Sequence, residues 1–416
     1  MRNEPAGTRR DVVCAVAATM ASSLPVFLVG ALAVQLREAL HFGTGTLGAI
    51  VALYFLGAAA SSIPLGGFVE TIGGLRTMRI AVIWSSLLLL LLATVTRSWP
   101  VLALLMVPAG MASSAVQLGS NLFLVRRVPA GQQGVAFGFK QAAVPLAASL
   151  GGLAVPVLAL TVGWRAAFLA AALAAAATAV LLPRPRQSLA ERRAAQAGRP
   201  APPLDRRPLW VLAAGIGLGV ATASALTAFL VSSAVADGVG RAPAGLLIAF
   251  GGAVAGISRI ITGRRADRRG RAHLRVIAAM LTSGAFGYGA LALASSRHLG
   301  ALYIPAVAIA FAAGWGWNGL FNFTIVRTHP DQPARATALT QAGARLGAMV
   351  GPFAFGEIAH GSYSLAWVSA AVAALCAAGV MMLGRRLLLA SRARAAAEPL
   401  RVHAPQSRAP AAEQLN

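Results

Sequence analysis

The stretch GRRADRRGR, Gly263 to Arg271, follows a long apolar run, and a second stretch, GGFVETIGG, Gly66 to Gly74, follows an earlier one. Both carry Gly-x3-acid-x2-Gly. The first copy places Gly66, Glu70 and Gly73 in this order; the second places Gly263, Asp267 and Gly270, with Arg268 and Arg271 beside them. The glycines permit a tight turn and close helix approach. The acid falls at a helix end, where it can bridge to a neighbouring helix terminus. One such loop is an ordinary charged turn. Two, at matching positions of two halves, imply a duplicated unit.

Other residues repeat in the same way. NLFLVRRVP, Asn121 to Pro129, has its counterpart in NFTIVRTHP, Asn322 to Pro330. Gln117 pairs with Asn318, Gln141 with Gln341 and Gly151 with Gly351, all at a nearly constant offset. Between the copies lies PRPRQSLAERRAAQAGRPAPPLDRRP, residues 183–208, which breaks the hydrophobic pattern. It is expected to be a cytoplasmic linker between units at 1–182 and 209–390. Residues 391–416 are Ala/Pro/Arg-rich and are expected to be a disordered cytoplasmic tail.

Each unit contains six apolar spans. The twelve lie near 13–36, 45–65, 78–96, 99–125, 134–160, 164–182, 209–234, 243–263, 274–295, 299–326, 336–359 and 363–384. The chain is 57% hydrophobic and 12% charged, against about 25% charged in soluble domains. Spans of this length cross a hydrocarbon core of about 30 Å. This is an all-α, multi-pass membrane protein. The net charge of +24 does not point to nucleic acid, because of how the charge is distributed. With the N-terminus inside, the outward loops hold Arg37, Arg97, Arg165, Arg241 and Arg297. Three bases lie within spans. All the others occupy the tails, the inward loops and the span ends beside them. That asymmetry places both termini in the cytoplasm and the protein in the cytoplasmic membrane. The basic loops are expected to meet anionic lipid headgroups.

GRRADRRGR resembles the cytoplasmic signature loop of the major facilitator superfamily, and GGFVETIGG resembles its first-half copy, with Glu70 for Asp and Gly74 where a basic residue is usual. GWRAAF, Gly163 to Phe168, is similar to a common entry to that family's sixth helix. The resemblance covers residues 12–390. It implies two pseudo-symmetric six-helix bundles around a central cavity, with alternating access by rocking. Helices 1, 2, 4 and 5 would line the cavity from one side and 7, 8, 10 and 11 from the other.

Three bases stand within the spans. Lys140 is the only lysine of the chain and lies about 9 Å into the fifth span. Two readings stay open: an ammonium that snorkels to the interface, or one that faces the cavity. Arg345 lies about 14 Å into the eleventh span, too deep to snorkel easily, and no acid stands at that depth. Fifth and eleventh spans are equivalent in the repeat, so Lys140 and Arg345 would face each other across the halves. Arg259 precedes Gly263 by one turn. Its Arg-x3-Gly spacing resembles helix 8 of monocarboxylate porters and oxalate:formate antiporters, where such an arginine engages a carboxylate. In the antiporters a basic residue on helix 11 is its partner. Ala255 replaces the acid found in many monocarboxylate porters. For Arg259, snorkelling and bracing of the signature loop remain alternatives. Gln117, Asn121, Gln141, Asn318, Asn322 and Gln341 lie at similar depth. They are read either as substrate-binding amides or as helix–helix hydrogen bonds.

A layer of cations and amides without a carboxylate favours an anion, because Arg–carboxylate bonds are strong and directional. The expected function is secondary transport of a small, monocarboxylate-like organic anion, with cyanate-type permeases a close variant. The alternative is an efflux antiporter for a drug or for an anionic or neutral secondary metabolite. Pro145-x5-Gly151-Gly152 is only partly similar to the Gly-Pro-x2-Gly-Gly of drug exporters' fifth helix. Glu357 and His360 are the candidates for proton coupling; exchange without protons fits equally. Cys14 and Cys376 lie in the first and last spans, and no metal-ligand spacing occurs. No nucleophile–His–acid set or phosphate loop appears, so an enzyme is not expected, and no cofactor is implied. The protein is expected to act as a monomer.

Overall fold

The computed structural model describes residues 6–129, 133–183, 205–269, 273–329 and 333–402. In lipid every backbone N–H and C=O must be satisfied within its own segment, which leaves helices as the solution for such apolar runs. The helices are α1 (Ala6–Ala31), α2 (Ala33–Leu40), α3 (Thr44–Ile72), α4 (Gly74–Thr94), α5 (Trp99–Arg127), α6 (Gln133–Ala154) and α7 (Trp164–Leu181). They continue with α8 (Arg206–Ala236), α9 (Arg241–Arg269), α10 (Leu274–Arg297), α11 (Tyr303–Ile309), α12 (Asn318–Thr328), α13 (Pro333–Gly361) and α14 (Tyr363–Val402). Among the described residues eleven helical segments are long and apolar enough to span a membrane. The twelfth expected span is α13, which is less apolar because it carries Gln341, Arg345 and Glu357.

α1, α3, α4, α5, α6 and α7 pack among themselves, as do α8, α9, α10, α13 and α14 with the α11–α12 segment. The two bundles meet where α3 lies against α13, α6 against α9 and α1 against α8. The tightest approaches fall at the end of these helices away from the Gly66–Gly74 turn, here called the far face. A methyl built on Gly152 of α6 would lie 2.5 Å from the Gly245 carbonyl oxygen of α9. Gly48 of α3 is closer still to the Pro352 carbonyl of α13. Only glycine lets backbones approach this closely. Near the opposite, signature face, the same test at Gly66, Gly256, Gly263 and Gly319 meets nothing within 4 Å. The bundles are therefore in close backbone contact at the far face.

The Gly66–Gly74 turn pivots on Gly73, whose φ of 88° favours glycine, and Gly73 N donates back to Val69 O at 3.0 Å. In the second copy, Gly263, Asp267 and Arg268 lie on the last turns of α9, while Gly270 and Arg271 lie outside the described residues. Most of the expected linker, residues 184–204, is also outside them. Asp205 caps α8, its Oδ1 accepting from Arg207 N at 3.2 Å. α14 runs past residue 391, where the tail is expected to begin, as far as Val402; Ala and Arg, strong helix formers, dominate this stretch. Residues 403–416 lie outside the described part.

Candidate functional site

On α5, Ser114, Gln117 and Asn121 stand at i, i+3 and i+7 and so share one face. α6 brings Lys140 against it. The ammonium is 1% exposed, and its Nζ donates to Gln117 Oε1 at 2.7 Å, Asn121 Oδ1 at 2.5 Å and Gln117 O at 3.4 Å. The ammonium therefore does not snorkel to the interface. Its donors are taken up inside its own bundle. An ammonium has no acceptor, so each amide turns its oxygen to Lys140 and frees its NH2 group as a donor. Asn121 is itself exposed.

Arg345, on α13, does cross the interface. Its Nη1 donates to Ala58 O of α3 at 2.8 Å and to Ser114 Oγ of α5 at 3.3 Å. Ser62 Oγ lies 2.9 Å from Ser114 Oγ and completes this polar nest. Both cations are thus held by side chains on one face of α5. The turn between Ser114 and Gln117 separates their partners by about 5 Å. In the second bundle a neutral amide makes the corresponding helix-to-helix bond: Gln341 Nε2 donates to Asn322 Oδ1 at 2.6 Å, one turn from Arg345.

Arg259, on α9, neither snorkels nor braces the signature loop. Its Nη1 donates to Gln141 O of α6 at 2.7 Å and its Nη2 to Trp315 O at 3.2 Å. Its guanidinium lies over the Trp315 ring at 5.0 Å. Trp315 ends a π-helical segment, Ala310–Trp315, between α11 and α12. Such segments shift the i→i+4 pairing and are frequent at functional sites. Trp315 also contacts Phe27 of α1, with ring centroids 5.9 Å apart. Arg259 Nε is buried and has no hydrogen-bond partner among the described residues. Asn318 and Asn322 are half-buried on α12, and Gln141 contributes its backbone carbonyl.

None of the three cations has an acidic partner among the described residues. Glu357 and His360 are exposed at the far face. The Glu357 carboxylate rests on the first turn of α3, with Oε1 2.7 Å from where a Gly45 methyl would stand. The amide groups of that turn favour an anion. A buried acid does exist elsewhere. Asp237, at the far end of α8, accepts from Tyr303 Oη at 2.6 Å and Ser295 Oγ at 3.2 Å, and His298 Nδ1 lies 3.3 Å away. The sequence reading missed Asp237 because it falls at a helix end and lacks any motif. It also missed Ser62, Ser114 and Trp315. The Ser61-Ser62 and Ser113-Ser114 pairs inside apolar runs were the available signal for the serines.

Two helical bundles closed at one face, with polar side chains reaching between them, define a membrane transporter of the alternating-access kind. Residues 13–332 match the family model of the Major Facilitator Superfamily. The chain belongs to that superfamily. Two solved structures of a bacterial homolog to the human lysosomal transporter Spinster share its fold. The inward-facing, occupied form gives a TM-score of 0.72 at 14% identity over 92% of this chain and 98% of that one. The inward-facing, unoccupied form gives 0.72 at 14% identity over 93% and 98%. No curated protein matches this chain in sequence.

Proposed function

We propose that the protein transports a small organic anion, monocarboxylate-like in its charge, with the signature face in the cytoplasm. One observation carries the reading: Arg345 extends from one bundle into the other and finds only neutral oxygens, Ala58 O and Ser114 Oγ, as acceptors. A carboxylate is a stronger acceptor for a guanidinium than either. Arg259 Nε and the outward-turned amide groups of Gln117 and Asn121 add donors that suit the same charge. An anion entering from the signature face would draw Arg345 away from α3 and α5. Binding would thereby exchange a contact between the bundles for a contact with cargo, and shift the balance between the two closures.

The test is a thermal-shift screen of the purified protein against formate, lactate, oxalate, small amines and neutral drugs. Ligand binding to the folded state raises its apparent stability. A stabilising acid is expected, and Arg345→Ala should weaken its binding by about 10- to 100-fold, from the loss of a charged hydrogen bond. Arg345→Lys should not restore it, because an ammonium cannot reproduce the planar fork. Stabilisation by amines alone would overturn the anion reading.

A further inference from the structure

The outer wall of the first bundle holds a groove between α4 and α7. On α4, Arg79, Ile83, Leu87 and Leu90 recur at i, i+4, i+8 and i+11 and line one side. On α7, Ala176 and Ala179 form the other side, where their small side chains leave a volume of about 360 Å³ open. Ser86 Oγ donates to Ala172 O at 2.8 Å and pins the two helices together. Ile83, Leu87 and Leu90 are 53%, 44% and 40% exposed, so this wall faces the membrane and not the interior.

Charge is confined to one end. Arg79 lies five residues inside α4, near the signature face, and is half-buried. Arg76, exposed, stands one turn nearer that face. Neither has a hydrogen-bond or ion-pair partner among the described residues. From Arg79 to Leu90 the groove descends about 16 Å at 1.5 Å per residue. Half of a hydrocarbon core of about 30 Å is about 15 Å. The groove therefore has a cationic mouth at headgroup level and an apolar floor as long as one leaflet is deep.

We propose that this groove is a binding site for one anionic phospholipid, with its phosphate on Arg79 and Arg76 and one acyl chain against Ile83, Leu87 and Leu90. The inference is independent of the cargo, since the groove lies on the outer wall and not between the bundles.

The test uses the purified full chain in mixed micelles containing equal amounts of phosphatidylglycerol and phosphatidylcholine, with retained lipid counted by native mass spectrometry. The expected result is one phosphatidylglycerol per chain, held through detergent washing that removes phosphatidylcholine. Arg79→Gln should lower that occupancy about five- to tenfold, from the worth of one basic residue at a lipid surface. Ala176→Leu, which fills the groove without touching the charge, should lower it as well. Unfolding midpoints of both variants, measured in the same micelles, confirm that the helices remain packed. Equal retention of the two lipids, or phosphatidylglycerol retention unchanged in both variants, overturns the proposal.

Discussion

Removing Gln117 should hurt the protein more than removing the charge that Gln117 serves. The Lys140 ammonium is buried and depends on two side-chain oxygens, Gln117 Oε1 at 2.7 Å and Asn121 Oδ1 at 2.5 Å. Gln117→Leu deletes one of them and leaves a buried cation short of an acceptor. A hydrogen bond to a charged group contributes about 1.5–3 kcal/mol. Taking 2 kcal/mol and 2–4 °C per kcal/mol for a unit of this size, the unfolding midpoint should fall by about 4–8 °C. Lys140→Met removes the cation and keeps an unbranched chain of similar length. It leaves two amide oxygens without a donor but also removes the cost of burying a charge, so its net effect should be smaller, about 1 kcal/mol. The double variant should then be no worse than Gln117→Leu alone, which is a coupling energy of at least about 1 kcal/mol. The assay is a double-mutant cycle read by unfolding midpoints of purified protein in one detergent, with Asn318→Leu as a control amide on the other bundle. Additivity of the two changes within about 0.5 kcal/mol would falsify the argument that these amides hold Lys140.

Gly152→Val places a methyl 2.5 Å from both Gly245 O and Ile248 Cγ2, so it should loosen the far-face closure. Ser149, whose Oγ reaches Ala249 O across the same interface at 2.9 Å, reports on it. With Cys14 and Cys376 replaced by alanine, Ser149→Cys should react faster with a small thiol reagent in the Gly152→Val background; an unchanged rate would contradict the close approach. Asp237→Asn should destabilise the second bundle by about 1.5–3 kcal/mol, since the buried carboxylate accepts from Tyr303 and Ser295. Glu357→Gln, at an exposed position, should change stability by about 0.5 kcal/mol or less, so equal effects in thermal unfolding would argue against the difference in burial.

The spans, their packing into two bundles and the Gly66–Gly74 turn were legible because each depends on composition or spacing along one helix. Depth was legible too: 1.5 Å per residue placed Lys140 and Arg345 inside the core. Direction was not. Whether Lys140 turns to its own bundle or to the other depends on how α6 is rotated against α5, and that rotation is set by contacts such as Gly152 on Gly245 that join distant parts of the chain. The π segment before Trp315 was illegible for a similar reason. It adjusts the pairing of a helix to its neighbours, and composition does not announce it. The helical extension to Val402 reads locally as Ala/Arg repetition, which suits a helix as well as a tail.

Because its one lysine is 1% exposed, the folded chain offers amine-directed chemistry no side chain to attack. Lysine acetylation, lysine-linked ubiquitin transfer and side-chain amine cross-linking all need a free ε-amine, and the tightly packed state withholds it. Modification at Lys140 thus records an opening of the first bundle. Its rate gives a single-site clock for local unfolding that needs no engineered label.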